Sequence, residues 1–143
     1  YILERCDDVW CTKMNKLLFY IDFLSYRDSG MAITGLSYRA IEFGPVPERW
    51  ERVYSEFPEV HQEFRPAGDF EGSVLIATQD ADVSLFTDFE LQVMDKVCSL
   101  FGKKSSRELS RISHEEKAWK EYCNNHEKIP FNEAFSIRIA NPL

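Results

Sequence analysis

The sequence predicts an α+β fold, a mainly helical single domain carrying a small antiparallel β-sheet. Three observations predict it. Apolar residues hold helical spacing from Thr12 to Asp28, three Ser/Thr-x-x-Glu signatures fall in the last third, and extended, turn-punctuated stretches occupy Ile33 to Phe86. At 143 residues, 44% of them hydrophobic, the chain is long and apolar enough to bury a core without disulfide or metal staples.

In the first element Met14, Leu17, Leu18, Ile21 and Leu24 form one stripe, and Phe19, Tyr20, Phe23 and Tyr26 fill a second. A helix apolar around most of its circumference belongs inside the domain. Gly30 supplies the left-handed residue that closes it. Asp22 lies amid this apolar sequence, so it needs an Arg or backbone amides as partners if buried.

Ile33 to Phe43 reads as an extended segment or short strand. In "GPVP", Gly44 and Pro45 then stop the strand, and Pro47 takes the first helical position, where a missing N–H costs nothing. The stretch is thus read as a rigid strand-to-helix corner. Glu48 suits the helix dipole, Trp50, Val53, Tyr54 and Phe57 continue with helical spacing, and Pro58 ends the run.

From Glu59 to Phe86, "HQEFRP", "SVLIATQ" and "VSLF" read as two or three antiparallel strands, paired with the Ile33 to Phe43 segment. Phe64, Leu75 and Leu85 are expected to anchor their buried face. Thr87 with Glu90, Ser105 with Glu108 and Ser113 with Glu116 are read as capping boxes, each opening a helix. The first carries Phe89, Val93, Val97, Leu100 and Phe101 and is closed by Gly102. The second offers Leu109 and Ile112, the third Ala118, Trp119 and Tyr122, and "IPFNEAFSI" leaves room for one more short element.

The net charge is −7, which repels phosphate backbones, and the densest basic patch holds only Lys103, Lys104 and Arg107. Nucleic-acid contact by this domain alone is not expected. Cys6, Cys11, Cys98 and Cys123 show no paired CxxC, so they read as free thiols in a reducing cytoplasm rather than a zinc site with His114 or His126. The longest apolar run, "LLFYI", is too short to span a membrane, and no signal peptide is traced. The chain reads as soluble and cytoplasmic. It starts at Tyr1 rather than Met, which leaves room for an upstream domain.

No GxSxG, P-loop, HExxH or GxGxxG is present, so no catalytic residue, metal ligand or cofactor is assigned. An alternative hydrolase would use His114 as base with Glu115 and Asp22, and a Cys98–His114 pair is weaker still. A transcriptional regulator would need the basic turn to gather further cations. The residues that suit a protein-binding face are Phe43, Pro45, Val46, Pro47 and Trp50, with His114 beside the last helical motif.

"KLLFYIDFLSYRDSGMAITGLSYRAIEFGPVPERW", followed in order by "ELS" and "SHEEKAW", resembles the Panacea domain, the SocA-like antitoxin family. The likeness runs from about Lys13 to Tyr122. It implies a mainly helical domain with a small antiparallel sheet, found in bacteria and phages and encoded beside a toxin. Family members neutralise a cognate toxin protein by direct binding, and one kind hands its toxin to a cytoplasmic ATP-dependent protease. Gly44, Pro45, Val46, Pro47, His114 and Trp119 match the family's motif positions, to which the family assigns no chemistry. Glu59 to Phe86 matches poorly, as a partner-specific region would. Many relatives carry an upstream helix-turn-helix or zinc-binding domain, and nothing here matches one.

Overall fold

The computed structural model describes residues 1–68 and 70–138. A short helix α1 (Ile2–Arg5) leads into the central helix α2 (Cys11–Ser29). Its residues from Lys13 to Ser25 are buried except Leu18, which is half-buried. Gly30 closes it in the left-handed conformation, φ +78°, with its amide on the Tyr26 carbonyl. Around α2 the rings of Phe19, Phe23, Tyr38 and Phe131 interlock, with Phe23 and Phe131 stacked at 4.7 Å and Tyr20 against Phe101 at 4.8 Å. Aromatic area of this kind dominates a core's energetics.

Strands β1 (Tyr38–Ile41) and β2 (Gly44–Pro47) form a hairpin, and β5 (Lys128–Ile129) joins the other side of β1, giving the order β2–β1–β5. "GPVP" is therefore a strand, and the strand-to-helix corner read from its composition is corrected. The register pairs Ala40 with Pro45 and Tyr38 with Pro47. The Ala40 amide points instead to the Glu127 carbonyl, 3.0 Å, and the Glu48 amide reaches the Ser37 carbonyl, 2.8 Å. In that alternation both proline nitrogens face away from β1 at a sheet edge, where an absent N–H breaks no ladder bond. Helix α3 (Trp50–Ser55) begins only after Arg49, which takes φ +55°.

Strands β3 (Val60–Ala67) and β4 (Phe70–Ala77) make a separate two-stranded antiparallel sheet, not an extension of β1. Leu75 is buried as expected, but Phe64 is 75% and Leu85 77% exposed. Burial on the hairpin falls on Val74 and Leu75, and Trp10 lies over Gly72. "VSLF" holds a 3₁₀ turn, Val83–Leu85, whose Ser84 amide donates to Asp82 at 3.1 Å, rather than a strand. Asp82 offers the backbone a local partner that competes with a ladder.

Two capping boxes form as read: Thr87 with Glu90 opens α4 (Asp88–Phe101), and Ser105 with Glu108 opens α5 (Ser106–His114). The face of α4 that packs inward is Val93, Met94, Val97, Cys98 and Phe101, and Leu100 lies outside it. The third box does not form. α5 continues through Ser113, whose hydroxyl donates to the Ser110 carbonyl at 2.9 Å, and Glu116 precedes α6 (Lys117–Lys120) with its carboxylate turned to the Arg138 amide at 3.2 and 3.3 Å. A final 3₁₀ turn, Phe131–Ser136, lies against α2.

Candidate functional site

The two family-like motifs meet at the tip of the β1–β2 hairpin. Ser110 of α5 donates to the Phe43 carbonyl at 2.9 Å, and Trp119 of α6 donates its indole N–H to the Ile41 carbonyl at 2.7 Å. His114 lies by the Glu42 backbone between them, and its ring packs on Trp119 with centroids 4.2 Å apart. Two carbonyls of one hairpin end are thus held from the α5–α6 unit. The Phe43 carbonyl lies in the turn itself, beyond the Ile41↔Gly44 pair that closes the ladder, and Ser110 supplies its partner.

Beneath the turn, Gly44 has φ +112°, and a Cβ there would stand 2.7 Å from Lys16 Cε and 2.8 Å from Ser113 Oγ. Only glycine fits both the angle and the space. Lys16 is buried, and desolvation lowers its amine to about 8. No carboxylate pairs with it among the described residues. Burial also lowers His114, assisted by the Lys16 charge, and burial raises Glu116 to about 7. The Tyr20 hydroxyl and His114 Nε2 are buried without a hydrogen-bond partner among the described residues.

The hydrolase constellation is not brought together. Asp22 accepts from the amides of Ile33 and Thr34 at 2.8 and 2.9 Å, from the Thr34 hydroxyl and from Tyr38. It is a staple between α2 and the segment leading into β1. Glu115 is exposed and pairs with Lys120 at 3.3 Å. Cys98 sits against Cys6, not His114; its thiol is pushed up and that of Cys6 down by the hydrogen bond between them. Among the described residues no cluster of His, Cys, Asp or Glu has the makings of a metal site. Lys103, Lys104 and Arg107 border a cleft of about 780 Å³ that they share with Arg65 but also with Asp7, Asp8 and Glu108, so the basic turn meets acid across it.

Of the residues expected to form a binding face, Phe43 is 60% exposed at the hairpin tip, Trp50 and His114 are half-buried, and Pro45, Val46 and Pro47 are buried in β2. Composition cannot distinguish a proline on an edge strand's inner side from one on a surface loop. What composition missed is a cleft of about 340 Å³ lined by Trp10, Trp50, Phe64 and Gly72. Trp10 lies so close over Gly72 that a Cβ there would stand 2.7 Å from its ring. A lone Gly inside a strand pattern is the signal that marks such an approach.

Fold and site together define an α+β scaffold domain whose motif residues are committed to holding one β-turn. Phe43 at the hairpin tip and Phe64 on β3 are aromatic side chains exposed at its surface. The chain belongs to the family described as antitoxin SocA-like, Panacea domain, whose model matches residues 14–120. Membership supports an antitoxin role and points to a non-enzymatic one. Comparison with curated proteins and with solved structures gave no match. No helix among the described residues is long and apolar enough to cross a membrane.

Proposed function

We propose that the chain neutralises a toxin protein by binding it directly, acting in the cytoplasm, where its free cysteines stay reduced. The observation that carries this reading, beyond the family, is the Trp10–Trp50–Phe64 cleft. Rigid aromatic walls around a concavity are what interface anchors need, because they give large contact area for little side-chain entropy. Phe43 offers a second exposed contact at the tip of the clamped hairpin.

The test is co-expression with the protein encoded beside it, with growth, complex formation and toxin lifetime read together. Growth rescue with a stable complex supports neutralisation by sequestration. Rescue with a complex that forms only transiently while the toxin's lifetime shortens marks the adaptor variant, in which the bound toxin passes to an ATP-dependent protease. Phe43→Ser and Trp50→Ala are expected to weaken binding, and toxicity that persists with no binding at all refutes the proposal.

A further inference from the structure

The β3–β4 ladder fixes where each β3 backbone group points. The Thr78 amide donates to the Glu59 carbonyl at 2.9 Å, one step beyond the Val60↔Ala77 pair, so 59 and 78 are a hydrogen-bonded pair. Antiparallel pairs alternate between bonded and non-bonded. His61, Glu63, Arg65 and Ala67 therefore turn their backbone groups toward β4, and Val60, Gln62, Phe64 and Pro66 turn theirs away. The opposite strand agrees, since Leu75, across from Gln62, sends its amide away from β3 to the Val9 carbonyl at 2.8 Å. β4 thus has its outer edge occupied by Val9 and Trp10, whereas among the described residues β3 has β4 as its single strand neighbour.

The open edge of β3 is bounded at both ends. The Val60 amide turns back onto the Phe57 carbonyl at 3.2 Å, and Pro66 carries no N–H. What remains is the window 62–66, which is symmetric about Phe64. Its sequence is also its own complement in charge, because Glu63 and Arg65 flank Phe64 and face the same side, bonded to each other at 3.1 and 3.2 Å. From this symmetry we infer that a second copy of this chain docks on the edge, β3 pairing antiparallel with its twin across a two-fold axis at Phe64.

In that register Phe64 and its twin exchange both N–H···O=C bonds. Each Gln62 amide donates to the Pro66 carbonyl of the second copy, so the proline costs no donor that the pairing needs. Glu63 of each copy stands opposite Arg65 of the other, and the exposed Phe64 ring gains an aromatic neighbour. Two two-stranded sheets become one of four strands, and a two-stranded sheet alone is marginal in water. The contact is small, below the roughly 1,200 Å² of firm complexes, so the dimer belongs to the weak, concentration-dependent class. The inference goes beyond the antitoxin reading and does not rest on it.

Sedimentation of the full chain from about 1 to about 500 μM tests it, a range that brackets weak self-association. The expected result is a mass that rises from 16.7 kDa toward twice that value. Phe64→Pro removes two of the cross-axis donors at a position whose N–H faces outward, so the β3–β4 ladder survives while self-association weakens about tenfold or more. Glu63→Arg and Arg65→Glu each oppose like charges and weaken the dimer, and the two combined restore it. A monomer throughout the range, a dimer indifferent to Phe64→Pro, or a double variant that does not recover overturns the inference.

Discussion

The Tyr38 hydroxyl donates to the Asp22 carboxylate at 2.5 Å, with both side chains buried. Asp22 thereby ties the fourth turn of α2 to the segment entering β1 and to β1 itself. Tyr38→Phe keeps the ring and leaves one carboxylate oxygen short of a donor in the core. The expected loss is about 1.5–3 kcal/mol, the range for a hydrogen bond to a charged group, read from urea unfolding at unchanged m-value.

Gly44 and Gly30 both sit at positive φ, but only Gly44 is crowded. Gly30→Ala is expected to cost about 1 kcal/mol through backbone strain alone. Gly44→Ala adds overlap with Lys16 and Ser113 and is expected to cost about 2–5 kcal/mol. Equal costs for the two variants, measured side by side, would show that the Lys16–Ser113 wall gives way freely.

Glu116 titrates near 7 in the fold, mainly because burial disfavours its charge, against an ordinary 4.5. A raised folded pKa contributes stability that is complete below pH 4.5 and is lost as pH rises toward 7. Glu116→Gln should therefore flatten this decline, and the difference between the two proteins across that window isolates the group from His114, whose shift runs the other way.

Lys16 presents the opposite sign. Its amine is lowered from 10.5 to about 8, so its contribution is present above 10.5 and is lost as pH falls through 8. Lys16→Met is expected to raise stability at pH 7 by about 1–3 kcal/mol and to abolish the gain seen on alkalinisation, because a buried charge gives way to an isosteric apolar chain. Destabilisation by this variant would mean that the ammonium under Gly44 is stabilising after all.

Much of the fold was legible because its signals are local. Residues 12–28 announce α2 by periodicity, and the boxes at Thr87 and Ser105 mark their helices because each cap and its partner are three residues apart. Ser113 and Glu116 carry the same spacing without the box, since α5 runs on past Ser113 and Glu116 is drawn to Arg138, a partner 22 residues away. Phe64 and Leu85 were misplaced for a related reason: alternation shows that a strand or turn has an apolar side, not whether another element arrives to cover it. The motif residues were visible, but their use was not, because the turn carbonyls they hold lie far off in sequence and backbone groups leave no trace in composition.

The clamp on the 41–43 turn also sets an order of events during synthesis. Ser110 and Trp119 bond carbonyls 67 and 78 positions earlier in the chain. A ribosome adding about 5–20 residues per second makes the hairpin several seconds before it makes the groups that lock it. Until Trp119 emerges, the end of the hairpin lacks the indole donor that holds the Ile41 carbonyl. A chain broken off before that residue could not fasten it later, so the finished turn certifies that translation reached the far end of the motif.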